Sequence, residues 1–162
     1  VKKAVMIAAP HTSNWDFLYT RCAFFLLDIP VRYTVKKELM KFPLGILLKA
    51  LGAIPIDRGP KGSTNRISMV DAMSNLFDEH DELVVLVTPE GTRKYVEQWK
   101  TGFYRVAEKS NLPIILGFVD YPSKTAGIGP YYQPTGNIEE DIAEIMKFYR
   151  TKIGKYPELG VK

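Results

Sequence analysis

The chain has one cysteine and two histidines among 162 residues. A single thiol cannot form an intramolecular disulfide. Cys22, in the apolar run Cys22-Ala23-Phe24-Phe25-Leu26-Leu27, reads as a buried thiol in a reducing compartment. Two imidazoles and one thiol do not make a conventional zinc site without carboxylates, and no His-Glu-x-x-His pair is present, so no metal is expected. There is no Gly-x-Ser-x-Gly nucleophile elbow and no paired-glycine dinucleotide fingerprint. Gly59-Pro60-Lys61-Gly62-Ser63-Thr64 misses the Walker spacing, and Pro60 lacks an amide donor, which excludes a phosphate loop of that kind. No apolar run reaches the roughly 18 residues that read as a membrane-spanning helix. Repeats, low-complexity tracts and long linkers are also missing, so residues 1–162 read as one domain.

The composition that is present suits a soluble fold with a real core: 46% hydrophobic and 25% charged residues. A net charge of +4 fits nucleic acid, an anionic membrane surface or a phosphorylated substrate. The nine tyrosines do not interleave with a basic stripe, so nucleic acid is not an expected partner.

Strand and helix patterns alternate along the chain. Strands are expected at 5–9, 32–35, 53–56, 83–87 and 114–119, with an edge hairpin over 127–133. Helices are expected at 13–27, 37–51 with a break near Pro43, 63–80, 101–110 and 138–153. Ile67, Val70, Met73, Leu76 and Phe77 form the apolar stripe of the third. Short connections between alternating elements imply an α/β fold, a mostly parallel central sheet flanked by helices. Ligands in such folds sit beyond the carboxyl ends of the strands.

Three polar groups directly follow expected strands. His11 and Asp16, separated by four residues, follow the first; the Asp can hold one ring nitrogen while the other takes a proton from a hydroxyl. Ser13-x-x-Asp16 is equally a helix capping box, a compatible structural role. Asp57-Arg58 follows the third strand and reads either as a surface ion pair or as part of the same edge. Pro89-Glu90-Gly91-Thr92-Arg93 follows the fourth. It reads as a polar turn or as an anion site, in which Arg93 offers a planar fork and Glu90 orients it or a substrate hydroxyl. His80, within Asp78-Glu79-His80-Asp81-Glu82, reads as a solvated helix end.

Taken in order, four blocks resemble those of the glycerolipid and lysophosphatidic acid (1-acylglycerol-3-phosphate) acyltransferase family, in its short bacterial form. They are Pro10-His11-Thr12-Ser13-Asn14-Trp15-Asp16, Gly52-Ala53-Ile54-Pro55-Ile56-Asp57-Arg58, Thr88-Pro89-Glu90-Gly91-Thr92-Arg93 and Leu112-Pro113-Ile114-Ile115. The resemblance implies that His11 is the general base for an acceptor hydroxyl and Asp16 its orienting partner. It further implies that Arg58, Glu90, Gly91, Thr92 and Arg93 shape an acceptor site, usually for phosphate, with Lys100 a further phosphate contact. Lys36-Lys37 resembles a basic pair in relatives. Acyl-CoA or an acyl carrier protein would be the donor, a lysolipid the acceptor, and no cofactor is implied. Pro10 and Thr88 stand where many relatives have Asn and Phe. Alternatives from other classes remain: a thioesterase in which His11 activates water, and a non-catalytic lipid or acyl-carrier binding module. The location implied is cytoplasmic, peripheral on the cytoplasmic face of the membrane. The segment from Leu39 to Lys49 reads first as an ordinary core helix with two exposed lysines, and otherwise suits interfacial contact.

Overall fold

The computed structural model describes residues 1–59 and 67–162. Among the described residues, six strands form one sheet in the order β3-β2-β4-β1-β5-β6. They are β1 Lys3–Ala9, β2 Val31–Lys36, β3 Ala53–Ile56, β4 Leu83–Val87, β5 Ile114–Asp120 and β6 Thr125–Tyr132. The first five run parallel, with Val5 of β1 beside Val85 of β4 and Ile114 of β5; only β6 is antiparallel, against β5. This is the α/β layer architecture that the alternating pattern implies. The central strands are continuous apolar runs because both faces of β1 are covered, and Ala4 to Ile7 are fully buried.

Among the described residues, five α-helices pack on this sheet: α1 Asn14–Leu26, α2 Leu44–Ala50, α3 Met69–Glu79, α4 Gly102–Lys109 and α5 Ile138–Arg150. Side chains alternate across a strand, so each face collects its own set. One face gathers Val5, Ile7, Val85, Ile114 and Leu116 against Met73, Leu76 and Phe77 of α3, Phe103 and Val106 of α4, and Ile145 and Tyr149 of α5. The opposite face has a much smaller cluster, in which Ala4, Met6, Val84 and Ile115 meet Val31 and Phe24 of α1.

That second face leaves large apolar side chains in water. Phe25 and Leu26 at the end of α1 are more than four-fifths exposed, as is Phe42 ahead of α2. Ile46 and Leu47 of α2 are also exposed, and Gly45 is the helix's one buried residue. The segment 39–49 is therefore not a core helix. Cys22 is exposed rather than buried, because none of the described residues covers it on the outer side of α1.

Other boundaries differ modestly. Residues 37–51 form a 3-10 turn, Lys37–Met40, and then α2, interrupted ahead of Pro43 as the missing amide requires. The expected start of the third helix and most of the rejected glycine-lysine loop fall at 60–66, outside the described residues. Ile67 precedes that helix, whose cap is Ser68, so it does not extend the stripe. The last strand is one element, Thr125–Tyr132, beginning two residues before and ending one residue before the expected hairpin segment. None of the helices in the described residues is long and apolar enough to cross a membrane.

Candidate active site

The carboxyl ends of β1 to β5 share one edge because those strands are parallel. His11 leaves β1 there, and Ser13 caps α1 three residues before Asp16. The capping box forms: the Ser13 hydroxyl accepts from the Trp15 amide at 3.2 Å, and Asp16 Oδ2 accepts from the Ser13 amide at 2.8 Å. The same Oδ2 accepts from the Thr12 amide at 2.8 Å and lies 3.2 Å from His11 Nδ1. Capping and imidazole orientation are thus two uses of one oxygen.

Asp16 is 5% exposed. Burial alone would raise its pKa. Hydrogen bonds from His11, Tyr121, Ser13 and Thr12 outweigh that and hold the carboxyl below its ordinary value. The His11 side chain keeps 24% of its surface exposed, leaving the ring accessible.

Glu90, at the end of β4, stands next to β1 in the sheet and is also 5% exposed. Both of its oxygens lie 3.1 Å from the backbone nitrogen of His11, which donates to them. Glu90 thus fixes the main chain of the histidine; its partner is not Arg93. Burial pushes its carboxyl up to about 7, since one amide and the nearby imidazole offset little of the desolvation and Asp16 adds repulsion.

The remaining expected residues divide into two groups. Arg93 donates from Nη1 to Asn14 Oδ1, in the first turn of the helix that holds Asp16. Arg93, Thr92 and Lys94 line a cleft of about 690 Å³ with Thr12, Ser13, Asn14 and Trp15. Gly91 has φ +64°, a conformation that favours glycine, and the flexible end of Lys100 approaches it, with Nζ 2.5 Å from where a Cβ would stand. The Lys100 amide also donates to the Pro89 carbonyl at 2.9 Å, closing the loop. Arg58 stands apart. It is on the same edge, but β2 and β4 lie between its strand and β1, about 14 Å at the usual strand spacing. Its Nε reaches the Ile67 carbonyl at 3.4 Å, and it lines a separate cavity with Lys36 and Lys37. Asp57 pairs with Lys37 at 2.8 Å rather than with its neighbour Arg58.

Sequence reasoning missed Tyr121, whose hydroxyl donates to Asp16 Oδ1 at 2.6 Å. Its one visible signal was position: it directly follows β5, at the same carboxyl edge of the sheet as His11. It also missed the C-terminal tail. A Cβ on Gly154 would come within 2.8 Å of Thr12 Oγ1, and the Tyr156 amide donates to that oxygen at 3.2 Å. An apolar groove of about 670 Å³ starts at Tyr121 and runs between α1 and the β5–β6 strands, past Tyr19, Cys22, Leu26 and Leu27.

Residues 1–116 match the family model described as Acyltransferase. The chain belongs to this acyltransferase family, of the 1-acylglycerol-3-phosphate acyltransferase type. No curated protein matches the chain. The matched span includes His11, Asp16, Arg58, Glu90 to Arg93 and Lys100, whereas Tyr121 and the tail lie beyond it.

Proposed function

We propose that this acyltransferase moves a fatty acyl group from a thioester, acyl-CoA or acyl carrier protein, to a hydroxyl of a lysophospholipid-like acceptor bearing phosphate. The observation that carries the reading is the accessible His11 ring oriented by buried Asp16, beside a cleft walled by Arg93 and Lys94. With Nδ1 donating to Asp16, Nε2 takes the proton of the acceptor hydroxyl. The oxygen attacks the thioester carbonyl, and the tetrahedral intermediate collapses with loss of the thiolate. That sulfur recovers the proton from the His11 imidazolium. No acyl-enzyme is needed. Arg93 supplies a fork for the acceptor phosphate, and its contact with Asn14 ties that fork to the helix carrying Asp16.

The groove between α1 and β5–β6 is suited to the acyl chain, since it begins at a residue bonded to Asp16 and has mostly apolar walls. A peripheral membrane setting, on the cytoplasmic face, fits the exposed Phe25, Leu26, Phe42, Ile46 and Leu47 alongside Lys41 and Lys49. No cofactor enters this chemistry.

Acyl transfer from a labelled thioester to a panel of lysolipids tests the reading. Product should require the acceptor, and Arg93→Ala should lose more rate on a phosphate-bearing acceptor than on its neutral counterpart. Free fatty acid released at the same rate without acceptor would favour thioester hydrolysis instead. Lipid binding without turnover across the donor panel would favour a binding module.

A further inference from the structure

We infer that Tyr121 is a positioning residue for the catalytic pair, held in place by the C-terminal tail. The inference rests on the reading of His11 as base and Asp16 as its partner, but it concerns residues outside the family-matched span.

The two oxygens of Asp16 have different surroundings. Oδ2 takes the Thr12 and Ser13 amides and faces His11 Nδ1. Oδ1 has Tyr121, at 2.6 Å, as its hydrogen-bond donor among the described residues. Rotation about the last side-chain bond moves both oxygens, and the capping amides resist it only through Oδ2. The phenol holds Oδ1 as well, so the carboxylate facing the imidazole is anchored at both oxygens.

Tyr121 is itself anchored. Its amide donates to the Ile153 carbonyl at 2.9 Å, and its carbonyl accepts from the Lys124 amide at 3.1 Å. The Ile153 amide donates to Asp120 Oδ1 at 2.8 Å, so the tail grips both residues at the end of β5. The Tyr121 ring meets Tyr19 of α1 edge-on, with centroids 5.9 Å apart. Three residues further along the same tail, Tyr156 holds Thr12. The tail therefore braces the His11–Asp16 segment from both sides.

The titratable groups that face this pair are few. His11, Glu90 and Tyr121 surround Asp16, and Asp16, Tyr19 and Tyr156 surround Tyr121. Burial and the Asp16 charge push the Tyr121 phenol above its ordinary value, while its hydrogen bond helps hold Asp16 below its own. Across the neutral range the phenol is therefore a donor and the carboxylate an acceptor.

Tyr121→Phe removes the hydroxyl and keeps the ring against Tyr19. The expected result is kcat for acyl transfer about tenfold lower, KM for both substrates within twofold, and the acid limb of the kcat–pH profile moved upward. A purely structural role for the ring would leave that limb in place. Unchanged kcat and pH profile, or a loss confined to KM, would overturn the inference. A second measurement reads the Asp16 carboxyl directly and needs no activity assay. Carbon-13 titration of the wild-type protein should find the Asp16 carboxyl below the ordinary carboxylate range, and Asp16 in Tyr121→Phe higher than in wild type. An equal value in both proteins would also overturn it. If His11→Ala keeps full activity, the underlying mechanism fails. If His11→Ala is inactive while Tyr121→Phe behaves as wild type, only this inference fails.

Discussion

The two faces of the sheet use similar apolar residues to different ends. Against α3, α4 and α5 the side chains interlock, and Phe77, Tyr104, Ile145 and Tyr149 are wholly or almost wholly buried. Asp141 and Tyr149 there have their polar atoms paired, although Ser74 Oγ of α3 is buried without a partner among the described residues. Asp141 accepts from Tyr104 Oη at 2.6 Å, Tyr132 Oη at 2.8 Å and the Thr135 amide at 2.7 Å, which outweighs burial and lowers its pKa. Tyr149 Oη bridges the Ile7 and Gly117 carbonyls at 3.0 and 2.9 Å, tying α5 to the strand that leads into His11. Against α1 and α2 the core is thin, a groove stays open, and Phe25 and Phe42 face water. One face stabilises the scaffold, and the other leaves apolar surface exposed. The His11–Asp16 pair, the proposed catalytic centre, sits at the edge where they meet.

Truncation of the interlocked face should have the largest effect on stability. Phe77→Ala is expected to cost about 3–5 kcal/mol in denaturant unfolding. Phe42→Ala on the open face should stay within about 0.5 kcal/mol of wild type. Similar losses from both would remove the distinction between the faces.

Next comes pH. Asp141 and Glu90 are both buried carboxyls, but Glu90 has one amide hydrogen in place of several donors, and its pKa rises from 4.5 to about 7. A raised carboxyl pKa means the folded state favours the protonated form. That contribution is complete below about pH 4.5 and is lost as pH climbs through about 7, a change on the order of 3 kcal/mol. Glu90→Gln should flatten the stability profile between those values. An unchanged slope would show that Glu90 is ionised throughout.

The smallest effect concerns Cys22. Since it is exposed on the groove wall, a maleimide should label it in the native protein without denaturant. A long-chain acyl thioester analogue should slow that reaction severalfold. Labelling that requires unfolding would restore the buried thiol expected from sequence.

These contrasts explain what the sequence could disclose. The runs Val5–Ala9, Leu83–Val87 and Ile114–Val119 announce buried parallel strands through composition alone. His11 and Asp16 are legible because a strand end and a helix cap are both local signals. Exposure of Cys22 was not legible, since an apolar helix reads alike whether or not a neighbour covers its outer side. The separation of Arg58 from His11 depends on strand order, β3-β2-β4-β1, which sequence proximity does not encode. Glu90 was read through its side-chain chemistry, while its partner is a backbone amide 79 residues away. Tyr121 reaches Asp16 across 105 residues of sequence and has no local motif around it.

The central claim is that His11, oriented by Asp16, takes the proton of an acceptor hydroxyl at the edge between the two faces. Acyl transfer by purified His11→Ala, with its fold checked by unfolding midpoint, tests this most directly. The account predicts a loss of about 10²–10⁴-fold in kcat at unchanged stability. Full activity in that variant would contradict it.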